Sequence, residues 1–168
     1  MADYRHMFES LTMPDKKKRS QKQERKCAKD FKGSTVIASG ALWFSKSDVV
    51  SDKFRIENKS TLKDEYRLHV SIWEKVRREA HQSGKIPLIE LLVGDTEYIV
   101  TSLIDYNDLV PYGLKTRYLK LEGTKTFLVL NKEWKSGMNF KLSEKIFKFK
   151  DSDIMIIVPK SSFLLNVS

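Results

Sequence analysis

Ser47-Asp48-Val49-Val50-Ser51-Asp52-Lys53-Phe54-Arg55-Ile56-Glu57-Asn58-Lys59 is the stretch on which the fold turns. Two β-prone pieces, 48–50 and 54–59, flank a polar connection and predict a tight hairpin. Side chains alternate across a strand, so Phe54 and Ile56 share one face and Arg55, Glu57 and Lys59 the other. The first face is core and the second is polar. Asp48 joins the face of Glu57 if it pairs opposite Arg55 across an even connection such as Ser51-Asp52; an odd connection would make Asp52 the better candidate. Two carboxylates on adjacent strands can hold a hard divalent cation through oxygen ligands. An ammonium two residues further along can face the same phosphate.

Composition bounds the surroundings of this hairpin. At 168 residues and 40% hydrophobic, the chain has the size and apolar content of one compact domain. Thirty-one Lys and Arg against twenty-two acids leave a formal charge of +9, which points to a polyanion such as nucleic acid, with a membrane surface as the weaker alternative. No apolar run approaches the roughly 20 residues of a membrane span, and the first fifteen residues lack the apolar core of a signal peptide, so a soluble intracellular protein is expected. One cysteine excludes an internal disulfide, and three scattered histidines give no zinc spacing.

Working outward, residues 1–20 are expected as a flexible arm ending in Lys16-Lys17-Lys18-Arg19, suited to a phosphate backbone. The same run resembles a nuclear localisation signal, a non-specific match. Residues 21–31 read as a helix, with Gly33 supplying the stop and Glu24 bordering the apolar stripe. Val36-Ile37-Ala38 reads as a strand, and Ser39-Gly40-Ala41 as a turn whose amides could approach phosphate. After a polar connection over 60–65, Ser71-Ile72-Trp73-Glu74 predicts a capping box opening a helix to about Gln82, with Lys75, Arg77 and Arg78 on its outer surface. Residues 86–93 predict a strand buried on both faces, followed by the Gly94-Asp95 turn and a strand over 98–103. Further strands are expected over 126–130, 146–149 and 154–158. Lys115, Arg117, Lys120, Lys125 and Lys132 interleave with Tyr112, Tyr118 and Trp134, a mixture found on nucleic-acid surfaces and on ordinary sheets alike.

Glu-x-Lys alone carries little information, and the chain has three: Glu24-Arg25-Lys26, Glu57-Asn58-Lys59 and Glu133-Trp134-Lys135. Only the second follows a β-prone run with an acid just upstream; its alternative reading is a surface ladder of alternating charges. As a set, Gln23-Glu24-Arg25, Ser39-Gly40-Ala41, Ser47-Asp48-Val49, the run from Phe54 to Thr61 and Trp73-Glu74-Lys75 resemble the PD-(D/E)xK nuclease superfamily. More narrowly, they are similar to small phage and prokaryotic Holliday junction resolvases. The resemblance covers residues 21–106 and leaves 107–168 as a β-rich extension of the same domain.

The resemblance implies an α/β domain whose central mixed sheet is flanked by helices, a restriction-endonuclease-like core with extra C-terminal strands. It implies that Asp48, Glu57 and the backbone carbonyl of Asn58 ligate Mg²⁺ or Mn²⁺, that Lys59 orients or activates water, and that Glu24 completes the acidic cluster. DNA contacts would come from Lys16, Lys17, Lys18, Arg19, Ser39 and Arg55. The partner would be branched or duplex DNA, met by a homodimer, with no membrane, in a bacterial host cytoplasm. Two differences stand out: Ser47-Asp48 replaces the frequent Gly-Asp, and the interval from Asp48 to Glu57 is shorter than in archaeal resolvases. The second keeps Asp52 as an alternative carboxylate. Competing with the nuclease are a non-catalytic nucleic-acid-binding protein and a viral protein that binds a host protein on a nuclease fold.

Overall fold

The computed structural model describes residues 13–36, 48–110, 124–125, 127–131, 145–149 and 152–167. They form an α/β unit with helices α1 (Met13–Asp30), α2 (Val70–Gln82), α3 (Leu103–Leu109) and α4 (Lys160–Val167). The strands are β1 (Ser34–Thr35), β2 (Val49–Val50), β3 (Phe54–Thr61), β4 (Glu65–His69), β5 (Ile86–Val93), β6 (Thr96–Ser102), β7 (Thr124–Lys125), β8 (Phe127–Asn131), β9 (Lys145–Phe149) and β10 (Ile154–Pro159). One mixed sheet runs β1-β2-β3-β5-β6-β10-β9-β7, and β4 pairs separately with β8. The β3–β5 and β7–β9 pairs are parallel, the others antiparallel.

β5 sits between β3 and β6 and is buried on both faces, as its apolar run predicts. Ile56, Leu88, Ile99 and Ile156 pack one face of the sheet against α1, α3 and α4, where Phe31, Phe54 and Phe163 form a mutual aromatic cluster. Ile89, Leu91, Val100 and Ile157 pack the other face against Trp73 and Val76 of α2 and Leu68 of β4. This alternation explains the period-two pattern: each strand feeds two separate cores.

Several local expectations change under tertiary packing. α1 begins at Met13, so Lys16 to Arg19 lie on helix rather than in the flexible arm expected over 1–20; residues 1–12 lie outside the described residues. Its stop is a Schellman closure, with Gly33 N–H donating to Ala28 O and Lys32 N–H to Lys29 O, and the left-handed residue is Lys32 (φ 51°), not Gly33. Gly33 serves close approach instead, since a Cβ there would stand 2.6 Å from the Val50 carbonyl oxygen.

The capping box does not form. α2 starts at Val70 behind His69, whose side chain makes no cap, and Glu74 bonds Arg77 and Ser152. Packing of Val70 against the second core draws the helix start ahead of Ser71. The expected polar connection over 60–65 narrows to residues 62–64, because β3 runs to Thr61 and β4 opens at Glu65. Helices α3 and α4 escape a reading by β-propensity: α3 opens on Ser102, whose Oγ accepts the Asp105 N–H. The turn 39–41, and Ile37 and Ala38 of the expected strand, lie outside the described residues, as do the basic and aromatic residues 112–134 apart from those in β7 and β8.

Under α4 lies a buried charge cluster. The Lys160 Nζ, its side chain 2% exposed, stands 2.7 Å from Asp30 and 3.1 Å from Glu90, whose side chain is fully buried. Burial opposes the Lys160 ammonium, but the facing carboxylates more than offset it and raise its proton affinity. Removing one partner of a buried pair strands the other charge. Lys160→Ala is therefore expected to lower unfolding stability by roughly 3–5 kcal/mol in urea melts, with Lys160→Met combined with Glu90→Leu recovering most of it.

Candidate active site

The site is assembled from the β2–β3 hairpin, α1 and α2. Val49 pairs with Ile56 and Val50 with Arg55, so Asp48 lies at the Ile56–Glu57 end of the pairing and not opposite Arg55 as the sequence reading had it. The reason is the turn: Ser51 N–H donates to Phe54 O, which makes Asp52-Lys53, rather than Ser51-Asp52, the two-residue connection. Moving the loop by one residue moves the register by two. Asp48 N–H also donates to the Ile56 carbonyl, so Asp48 and Val49 together face one residue of β3, which is a bulge. The bulge aims Asp48 so that its Oδ2 accepts the Asn58 N–H at 2.8 Å.

Glu57 projects from β3 toward α2 with its side chain 5% exposed. Lys59 Nζ donates to Glu57 Oε1 at 2.7 Å, and Lys75 Nζ lies 3.1 Å from both Glu57 oxygens. Two half-exposed ammoniums thus cover a buried carboxylate. The sequence reading put Lys75 on the outer surface of its helix, because spacing alone does not show that α2 lies across β3. Four residues of helix rise about 6 Å and two of strand about 6.6 Å, so Lys75 and Glu79 match Glu57 and Arg55 in turn. The second pair closes at 3.9 Å.

Electrostatics follow from this crowding. Burial first, and then the Glu57 carboxylate, push Asp48 up to about 6 from its ordinary 3.8, against the Asn58 N–H and Lys59, which favour the charged form. For Lys59, burial favours the neutral amine, but the bonded Glu57 outweighs it, so Lys59 holds its proton more tightly than a free lysine. The Tyr66 phenol of β4 belongs to the same neighbourhood: burial raises it, with Lys59 opposing and Glu57 adding. From α1, Gln23 Nε2 donates to the Lys59 carbonyl at 3.2 Å, and Glu24, bonded by Ser20 Oγ at 3.0 Å, adds its negative field at Asp48. Tyr66 carries no signal in the sequence that sets it apart from other aromatic residues.

The remaining candidates separate. Asp52 is exposed in the hairpin turn, roughly 10 Å along the strand from the level of Glu57. There it lines a pocket of about 320 Å³ with Phe31, Phe54 and Leu164, away from the carboxylate pair. Arg55, expected at DNA, is turned inward onto Glu79, both side chains 11% exposed, because it shares the α2-facing side of β3. Arg19, also expected at DNA, donates to Gly94 O at 2.5 Å and to Thr61 O at 3.4 Å, tying α1 to the β5–β6 turn. Lys16, Lys17 and Lys18 are exposed, and Ser39 lies outside the described residues. Cys27 is buried, and burial and Glu90 drive its thiol far above the ordinary range, which removes it as a nucleophile.

Asp48 and Glu57 supply the one or two carboxylates that a largely hydrated Mg²⁺ uses. They do not supply a closed cage: among the described residues no three His, Cys, Asp or Glu side chains converge tightly enough to hold a metal alone. A cation held here would keep most of its waters, and both Glu57 oxygens are already engaged by Lys59 and Lys75. Compared with protein-family models, curated proteins and solved structures, the chain matches none.

Because the folded-state value of Asp48 lies above its unfolded value, its favourable contribution is full below about pH 4 and is lost as pH rises through about 6. Asp48→Asn keeps an acceptor for the Asn58 N–H and deletes the charge. In EDTA it is expected to stabilise the protein by on the order of 1–2 kcal/mol near pH 8, a gain that shrinks to nothing below about pH 4. Urea melts at the two pH values check this; an unchanged melt near pH 8 contradicts it.

Proposed function

We propose that the chain is a metal-dependent DNA endonuclease of the PD-(D/E)xK type, acting on branched DNA in the manner of a Holliday junction resolvase. The observation that carries the reading is the bulged hairpin that brings the Asp48 carboxylate within the field of Glu57, with the Lys59 ammonium bonded to Glu57. Glu24 adds negative charge from α1. Asp48 and Glu57 would hold Mg²⁺ or Mn²⁺ with the Asn58 carbonyl, and the bound ion would polarise the phosphate and lower the pKa of its water.

Lys59, kept protonated by Glu57, serves as a positive group facing the charge that grows on the phosphorane oxygens, and holds the attacking water by donation. Water oxygen bonds to phosphorus as the bond to the 3′ oxygen breaks, leaving a 5′-phosphate and a 3′-hydroxyl. Two symmetric nicks across a junction require two such sites, hence a two-fold dimer.

A second reading has its own support. Both Glu57 oxygens are already engaged by Lys59 and Lys75, as in a structural ion-pair cluster, and a basic protein so built would bind nucleic acid without cutting it. The two readings diverge on a labelled four-way junction compared with a linear duplex of the same arms. The nuclease reading expects junction cutting with Mg²⁺ or Mn²⁺, none in EDTA, and a loss of at least about 10²-fold in Lys59→Ala with binding retained. Junction binding without cleavage by the wild type in either metal transfers the case to the second reading.

A further inference from the structure

We propose that the outer ridge of α1 formed by Lys18, Lys22, Arg25 and Lys29 docks the phosphodiester backbone of a nucleic acid. These positions recur at i, i+4, i+7 and i+11, which sets them on one line of the helix. All four are exposed, while Gln23, Cys27 and Ala28 are buried on the other side. From Lys18 to Lys29 the ridge rises about 17 Å at 1.5 Å per residue. That matches roughly five nucleotides of one duplex strand at 3.4 Å each.

Two features separate this ridge from an ordinary solvated helix face. Surface helices normally offset such charges with acids one turn away; here Asp15, three residues before Lys18, is the one Asp or Glu within α1 that stands three or four positions from any of these cations, and Lys22, Arg25 and Lys29 have none. Each cation therefore repels the next, at roughly 0.2–0.5 kcal/mol per pair. Among the described residues none of the four has an ion-pair partner elsewhere, whereas neighbouring Arg19 and Lys26 are engaged by Gly94 and Glu97. From Lys22 to Lys29 the helix carries a line of like charge with no acid one turn away, and a partner with regularly spaced negative charge relieves it.

The chemistry selects a nucleic acid over other anionic partners. The large exposed hydrophobics among the described residues are Ile104, Ile154 and Leu165, none of them on α1, so the ridge has no apolar flank to insert into a membrane surface. It also lacks the aromatic or aliphatic anchor on which a protein interface centres. The proposal rests on the nucleic-acid partner of the reading above but not on its chemistry, and binding measured in EDTA tests it apart from cleavage.

The experiment is anisotropy of a fluorescein-labelled duplex of about 20 base pairs, titrated in EDTA between about 50 and 200 mM salt. The variant is K18Q/K22Q/R25Q/K29Q, since Gln keeps helix propensity. Its control, K53Q/K63Q/R78Q/K148Q, deletes the same charge from exposed residues elsewhere. Circular dichroism confirms that both fold. The expected result is a log-log salt slope shallower by about 3.6 in the ridge variant, at about 0.9 per phosphate contact, with the control near wild type. An unchanged slope in the ridge variant, equal losses in both variants, or wild-type binding to phosphatidylserine vesicles but not to the duplex would each overturn the proposal.

Discussion

The Glu57 carboxylate, 5% exposed and held by two ammoniums, is the constraint on which the rest of the structure depends. A buried carboxylate without partners is several kcal/mol unfavourable, so Lys59 and Lys75 must be delivered to it. Lys59 comes from the same strand two residues on, at no topological expense. Lys75 comes from α2, which must lie across β3 with its charges in step: Lys75 at Glu57 and Glu79 at Arg55. The polar seam thereby sets the seating of a helix whose apolar residues, Trp73 and Val76, anchor it to the core without specifying its position along the strand.

The opposite face of the sheet repeats the device. Glu90 of β5 is fully buried and meets Lys160, which also reaches Asp30 at the end of α1. Asn58 of β3 pairs in register with Glu90, on the strand that carries Glu57 and Lys59 one residue to either side. One short stretch of β3 therefore stands between two buried charge clusters, each fixing helices to its own side. Both strands are thereby held from two sides.

Much of this was legible in the chain. The hairpin, the two-sided burial of β5, the Gly94-Asp95 turn and the polar face carrying Arg55, Glu57 and Lys59 all follow from period-two patterning and turn chemistry. The level of Asp48 did not follow, because the loop moved by one residue and a bulge inserted another; both are decided by backbone hydrogen bonds that leave no mark in residue type. Arg55 shows the converse. Its face was predicted correctly, but a polar face of a strand is exposed only when nothing packs on it, and α2 does.

By itself the sequence determined which residues alternate, where the chain turns and which carboxylates and lysines are available, because those depend on neighbours within a few residues. Only the tertiary structure decided that α1 runs unbroken from Met13 and that α2 begins ahead of its capping box. It also decided that Lys75, sixteen residues beyond Lys59, shares Glu57 with it. The physical reason is that burial, which makes a charge seek a partner, is a property of elements packed together and exists in no segment alone.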